Sequence, residues 1–473
     1  MAWRETLEPT RMARVAVVSP AERLREVLVE VADAGVTQLE RFGDPPAGPA
    51  EEALERALRL QVPAAAATAP SAPRVLAEPP DIAALEAAGR LAELAGEVEL
   101  ERAATRALGD RGVVATVGWS PTTEVARLAD RLAPLGGAVV RLPFPRWPGP
   151  PTLVSSGGAT GAFQPLVDTY ATVPYADLNP SALAGTAYVL MFGMMFGDVG
   201  HGALLLILGL LLAAGRPRIL ARFRRLALFV IGAGLASMCF GLAYGEFFGP
   251  THVVPTLWKA PLDDPTTLLA VAIVIGAALI AVAYALGTIN RWREGGLARA
   301  ALATAGLAGA ALYLGLAVMV FGWYEQSTGA LVAGAVLAGL GLALVLVGCY
   351  AGAAPGSGRA AQAGVESFDT VVRIGTNTVS FARLAAFGLT HAALCAVVWS
   401  GTTWLWGHGP ASWLGAVLLF VVGNVVAFGL EGLVAGVQAL RLEYYELFSR
   451  IFVDEGRPFR PWHIPTISSK EAA

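Results

Sequence analysis

Five ionisable side chains stand in stretches where a charge is expensive: Asp369, Arg383 and His391 in one, Glu431 and Arg441 in another. Beyond Arg383 the run 384–430 contains no Asp, Glu, Lys or Arg. An arginine in the middle of a lipid-spanning helix costs about 2.5–3.5 kcal/mol even on insertion scales, so it has to face water or a partner. It serves either an ion path or a structural ion pair within the chain. On a continuous helix His391 would lie about 12 Å further along and about 80° around, and Asp369 about 40° from the Arg383 direction. The three would share one broad face, as a polar path through a membrane requires. Two plainer readings stay open: Asp369 pairing with Arg373 at i,i+4, and His391 as a satisfied core histidine. Glu431 ends the charge-free run, and a carboxylate there is either part of a proton or cation path or a polar residue paired within the bundle. Arg441 follows about 80° around the helix. It opens a polar end, RLEYYELFSR, in which Glu443, Glu446 and Arg450 are expected on a solvated face.

The elements that must carry these residues are apolar helices. The chain is 55% hydrophobic and 15% charged, against about 25% charged in soluble domains, and its mean hydropathy is +0.57. Residues 178–197, 199–215, 226–245, 265–290, 300–324 and 326–358 are the other apolar stretches. A span needs about 20 such residues. Eight helices are therefore expected, near 182–196, 199–215, 223–247, 267–288, 300–323, 329–351, 368–400 and 412–450. The last two would be about 50 and 58 Å long, which demands tilt or projection from the bilayer. Arginines concentrate in alternate loops: Arg216, Arg218, Arg222, Arg224 and Arg225, then Arg291, Arg293 and Arg299, then Arg359. The loops between these hold no arginine and only Lys259 among lysines, so the positive-inside rule places both termini in the cytoplasm. No signal peptide is read at the start.

Residues 1–177 read as soluble. Met12–Val18, helix 21–34 and Val36–Leu39 form one strand–helix–strand unit; Val113–Trp119, helix 121–134 and 137–142 form another. Two such units predict a small ferredoxin-like α/β domain. Helix 49–60, a Pro/Ala-rich linker at 63–80 and helix 81–108 lie between them, as a short helical hairpin that either packs the domain or docks a partner. The expected division is a cytoplasmic α/β and hairpin domain at 1–147, a linker at 148–181, a membrane domain at 182–450 and a cytoplasmic tail at 451–473. A net charge of −3 gives no sign of nucleic-acid binding. Cys239, Cys349 and Cys395 have neither disulfide nor metal-ligand spacing and read as packing residues. No phosphate loop, serine-hydrolase elbow or metal cluster is present, so no catalytic, cofactor or metal site is expected. The glycine-rich run at 193–202 reads as a tight interhelical turn.

Several segments resemble the a subunit of V-ATPases, called subunit I in bacterial and archaeal V/A-type enzymes. They are 163–180 (FQPLVDTYATVPYADLNP), 192–202 (FGMMFGDVGHG), 240–249 (FGLAYGEFFG), 376–394 (TNTVSFARLAAFGLTHAAL) and 430–462 (LEGLVAGVQALRLEYYELFSRIFVDEGRPFRPW). The GWSP at 118–121 resembles a cytoplasmic motif of that family. Gln164, Thr390, Gln438, Tyr444 and Tyr445 depart from its usual pattern. The region 1–117 is short for the family. The resemblance implies a stator subunit of a rotary ATPase that catalyses no ATP chemistry itself. Arg383 would be the arginine facing the rotor, with Arg441 as its support. His391 and Glu431 would belong to the non-cytoplasmic half-channel, and Asp369 to the cytoplasmic one. The implied partners are the proteolipid rotor ring (c/K), peripheral-stalk subunits (E/G type), a central-stalk cap subunit (d/C type) and membrane lipid, and the implied location is the bacterial plasma membrane. A secondary ion-coupled transporter and a membrane-anchored scaffold are the alternatives. No inverted repeat is found, which weighs against the transporter.

Overall fold

The computed structural model describes residues 8–40, 43, 46–60, 79–144, 149–154, 158–216, 218–452 and 455–464. The linker expected at 63–80 lies, up to residue 78, outside these. The chain divides into two compact units, Pro9–Val154 with Gly456–Ala473, and Met1–Glu8 with Ser155–Glu455.

The first unit is built on strands β1 (Met12–Pro20), β2 (Gln38–Leu39), β3 (Leu108–Asp110), β4 (Val113–Pro121) and β5 (Ala138–Leu142). They pair antiparallel in the order β2-β4-β1-β5, with β3 against β4. Apolar residues at helical spacing turn the connecting helices onto this sheet. Helix α1 (Leu24–Ala34) buries Val27, Leu28, Val31 and Ala32 and stops at Gly35, whose φ of 60° is the left-handed conformation that glycine adopts most readily. Helix α2 (Pro49–Arg59) turns Ala50, Ala53 and Ala57 inward. The helix expected over 81–108 is instead two, α3 (Ile82–Ala87) and α4 (Leu91–Thr105), because the chain turns at Gly89 with φ 63°. Ion pairs Arg56–Glu86 at 3.0 Å and Arg102–Glu51 at 2.5 Å tie α2 to α3 and to α4. Helix α5 (Val125–Leu132) completes the second strand–helix–strand unit. The chain end returns to the sheet. Thr152 bridges Pro458, the Trp462 amide donates to the Thr37 carbonyl at 2.8 Å, and the Trp462 ring packs with Leu28, Val31 and Leu128.

In the second unit α6 (Gly158–Tyr170) occupies part of the segment read as a linker. There follow α7 (Ser181–Met195), α8 (Val199–Ala214), α9 (Ala227–Tyr244), α10 (Pro265–Leu302), α11 (Leu307–Tyr324) and α12 (Thr328–Gly352). The last long helices are α13 (Arg359–Ser380), α14 (Ala382–Trp406) and α15 (Trp413–Leu442), continued by a π-helical turn at Glu443–Phe448 and the short α16 (Ser449–Ile451). Among the described residues six helical segments are long and apolar enough to cross a membrane. They are 227–244, 265–302, 307–324, 328–352, 359–406 and 410–451. The apolar α7 and α8 are shorter, at 15 and 16 residues. Helix α10 kinks at Gly295–Gly296, where Gly296 has φ 72°.

Just before the kink Arg291 is 1% exposed and lies between Glu294, at 2.5 Å, and Asp177, at 3.5 Å. Burial, reinforced by the neighbouring Glu294, pushes the Asp177 carboxyl up to about 7. Outward-facing positions of the long helices stay apolar and exposed, such as Leu414, Leu433, Val365 and Phe368. That pattern suits lipid or a hydrophobic partner rather than water.

Candidate functional site

Arg383 stands at the first turn of α14, two residues beyond a break in the long helical segment. The break is at Phe381, which is fully buried. The facing helix α10 makes room for it with Gly276: a Cβ added there would sit 2.1 Å from the Phe381 ring. Gly276→Ala is therefore expected to displace Phe381 and destabilise the bundle by about 1–3 kcal/mol, the usual cost of overpacking. Denaturant unfolding of the detergent-solubilised protein checks this, and an unchanged midpoint would mean that Phe381 is not what holds the break.

The break delivers the Arg383 guanidinium to a cavity of about 940 Å³. One guanidinium nitrogen, Nη2, donates to Ser380 Oγ at 3.2 Å, while Nη1 is buried with no hydrogen-bond partner among the described residues. The cavity wall also holds Arg373, Arg441, Arg450 and Glu446, four arginines against one carboxylate. Two of the arginines are engaged elsewhere. Arg373 Nε donates to Asp369 at 2.7 Å, and Arg450 donates to the Tyr284 hydroxyl with its guanidinium 4.9 Å from that ring's centre. Arg383 and Arg441 remain as positive groups with no ion pair among the described residues. The arrangement fits an anionic group that the chain itself does not supply.

Glu443, Glu446 and Arg450 are not on a solvated face. Their relative exposures are 0%, 6% and 8%. They follow Ala435 and Ala439 at helical spacing and so continue the packed stripe of α15 through the π turn. Both Glu443 oxygens are buried without a hydrogen-bond partner among the described residues. Asp369 is exposed and paired with Arg373, the plainer of its two readings, and it does not line the cavity.

Further along α14 and α15 lies a second group of ionisable residues. His391 and Glu431 are 2% and 8% exposed, and the Glu431 carboxylate contacts His391 Nδ1. Around them the fold gathers Asp198, His201, Glu246 and Cys395, all buried. Asp198 caps α8 by accepting from the His201 amide at 2.9 Å, and it also accepts from the amides of Phe248 and Gly249 at 3.0 and 2.9 Å. The His201 and His391 rings lie 5.4 Å apart at 71°. Phe196, Phe248 and Phe428 wall the cluster. Buried acids and histidines that face one another on apolar helices can pass protons or hold a cation. Asp198, His201 and Glu246 were missed because they sit at helix ends and read as turn residues. A signal existed: Asp198 and Glu246 each end a charge-free run, as Glu431 does.

Residues 109–294 match the model of the V-type ATPase 116kDa subunit family. The chain is 25% identical over 360 residues to the A-type ATP synthase subunit I of Pyrococcus horikoshii, covering 73% of this chain and 53% of the relative. It is 27% identical over 438 residues to that of Halobacterium salinarum, covering 77% and 57%. A V-type ATP synthase subunit I 2 of Treponema pallidum is 37% identical over 98 residues, covering 21% and 22%. The chain spans about half the length of the curated archaeal relatives it matches.

Proposed function

The chain belongs to the V/A-type ATPase subunit a/I family, and from that premise we propose that it is the stator subunit through which a rotary ATPase moves protons or sodium ions across a membrane. ATP is hydrolysed or made in other subunits. The observation that carries the reading is the half-buried Arg383 guanidinium, with one nitrogen unpartnered among the described residues, in a cavity rich in arginine. A rotor subunit with one carboxyl per ion site supplies the missing anion. Neutral carboxyls pass through lipid; ionised ones do not. At about 4 Å and an effective dielectric of about 20, Arg383 favours the ionised form by about 4 kcal/mol, equivalent to about three pH units. The proton therefore leaves as the rotor site arrives.

The buried His391–Glu431 pair, with Asp198, His201 and Glu246 nearby, serves as the non-cytoplasmic half-channel. The cavity around Arg383 and Arg441 opens toward the cytoplasmic one, and Arg383 blocks a direct leak between the two. In this reading α7 and α8 complete eight spans, and both termini are cytoplasmic. The first unit is a ferredoxin-like domain that contacts the peripheral stalk and the central-stalk cap. The membrane is the plasma membrane of a bacterium.

Purification of the chain from its native membrane tests the assignment. Rotor-ring proteolipid and soluble ATPase subunits are expected to co-purify in fixed ratio. Recovery of the chain alone, or with a transport substrate, would overturn it in favour of a self-contained transporter.

A further inference from the structure

The buried cluster contains a donor set that ion translocation does not require. We infer that His201, His391 and Cys395 form a binding site for a borderline-soft divalent transition metal, zinc above all. The three side chains come from two helices, α8 and α14, and each offers a ligand atom within 4.8 Å of the other two. His391 Nε2 lies 3.8 Å from Cys395 Sγ, one helical turn away. Zinc bonds of about 2.0–2.1 Å to nitrogen and about 2.3 Å to sulfur subtend ligand separations of this order at a tetrahedral ion.

An independent observation points to a ligand. His201 is 0% exposed, and neither ring nitrogen makes a well-formed hydrogen bond among the described residues, the Asn424 carbonyl and Asp198 Oδ1, at 3.6 Å, being its polar neighbours. A buried imidazole so loosely held calls for an explanation. A bound ion supplies one.

The surroundings have the form of a metal site's outer shell. Metal-bound histidines commonly hold a carboxylate on the ring nitrogen that does not face the ion. Glu431 contacts His391 Nδ1, leaving Nε2 directed at Cys395. Asp198 Oδ1 lies 3.6 Å from His201 Nδ1 and is itself fixed by backbone amides. Two neutral imidazoles and one thiolate make a His₂Cys set. Sulfur and imidazole together select zinc and its neighbours over magnesium or calcium, which take oxygen ligands. On binding, the ion replaces the Cys395 thiol proton. That proton passes to the medium, so one proton is released per ion bound. The inference concerns binding alone and holds whichever way ions move through the chain.

Cobalt reports the site directly, because a thiolate ligand gives Co²⁺ an intense sulfur-to-metal charge-transfer band. The purified full-length chain, stripped with chelator and titrated with Co²⁺, is expected to bind one ion with that band, and zinc is expected to displace it. Cys395→Ser, which keeps the side-chain size, should abolish the band and weaken zinc binding by about tenfold or more. His201→Gln should weaken binding comparably, and Cys239→Ser, which removes an exposed thiol, should change nothing. Gel filtration verifies the fold of each variant. Cobalt bound without a thiolate band, a band that survives Cys395→Ser, or unchanged zinc affinity in both Cys395→Ser and His201→Gln would each overturn the site.

Discussion

Replacing Glu431 by glutamine is expected to lower ATP-driven ion transport by about an order of magnitude or more while the complex still assembles. The two side chains have nearly the same volume, so the helix packing around this 8% exposed position should hold. Glutamine also keeps an acceptor for the His391 ring. What it loses is the ability to take up and release a proton beside a histidine buried with it. Asp198 cannot substitute, because its oxygens are committed to three backbone amides. Glu246 is near enough to leave a residual rate, since its carboxylate, that of Asp198 and His391 lie within 4.8 Å of one another. Acidification of reconstituted vesicles, normalised to assembled complex, measures the effect. Transport at the wild-type rate would make Glu431 a structural partner of His391 and nothing more.

How much of this was legible in the sequence depended on contrast. Arg383 and Glu431 stand against long apolar runs, so their cost in lipid singled them out. The same rule applied to Asp198 and Glu246 would have found half of the buried cluster. Each sits next to a helix end, where a charge looks ordinary. The nearness of Cys395 to His391 follows from a spacing of four, but His201 arrives from another helix, and only the packing of α8 against the bundle reveals it. The break at Phe381 has no sequence signal at all: no proline or glycine marks it, and Gly276 accommodates it from a helix about a hundred residues away in the chain. The π turn was equally hidden. Glu443, Glu446 and Arg450 nonetheless follow the buried Ala435 and Ala439 at helical spacing, and their charge, not their register, led to a solvated reading. By contrast the interruption at Gly89 lay in plain view, as a glycine inside a helical pattern. Asp369 was readable both ways, and the pairing with Arg373 that its i,i+4 spacing allowed is present.

The largest effect is expected at Arg383. Arg383→Gln keeps a long polar side chain that can still reach Ser380, but it removes the charge that ionises the rotor carboxyl. Folding should survive, because the guanidinium nitrogen Nη1 has no hydrogen-bond partner to lose among the described residues, and removing a half-buried cation without an ion pair costs little. Coupled transport should fall to near zero, since about 4 kcal/mol of bias toward proton release disappears. Passive leak should rise, because the positive barrier between the half-channels is gone. Arg383→Lys should recover little: a compact ammonium lacks the planar fork that can hold Ser380 and a carboxylate together. The most direct measurement is ATP-driven acidification of vesicles carrying the assembled wild-type or Arg383→Gln complex, followed with a pH-sensitive dye at matched complex content. Acidification in the wild type and almost none in Arg383→Gln, with faster decay of an imposed gradient, is the expected result; an assembled Arg383→Gln complex that pumps at a comparable rate would contradict the account.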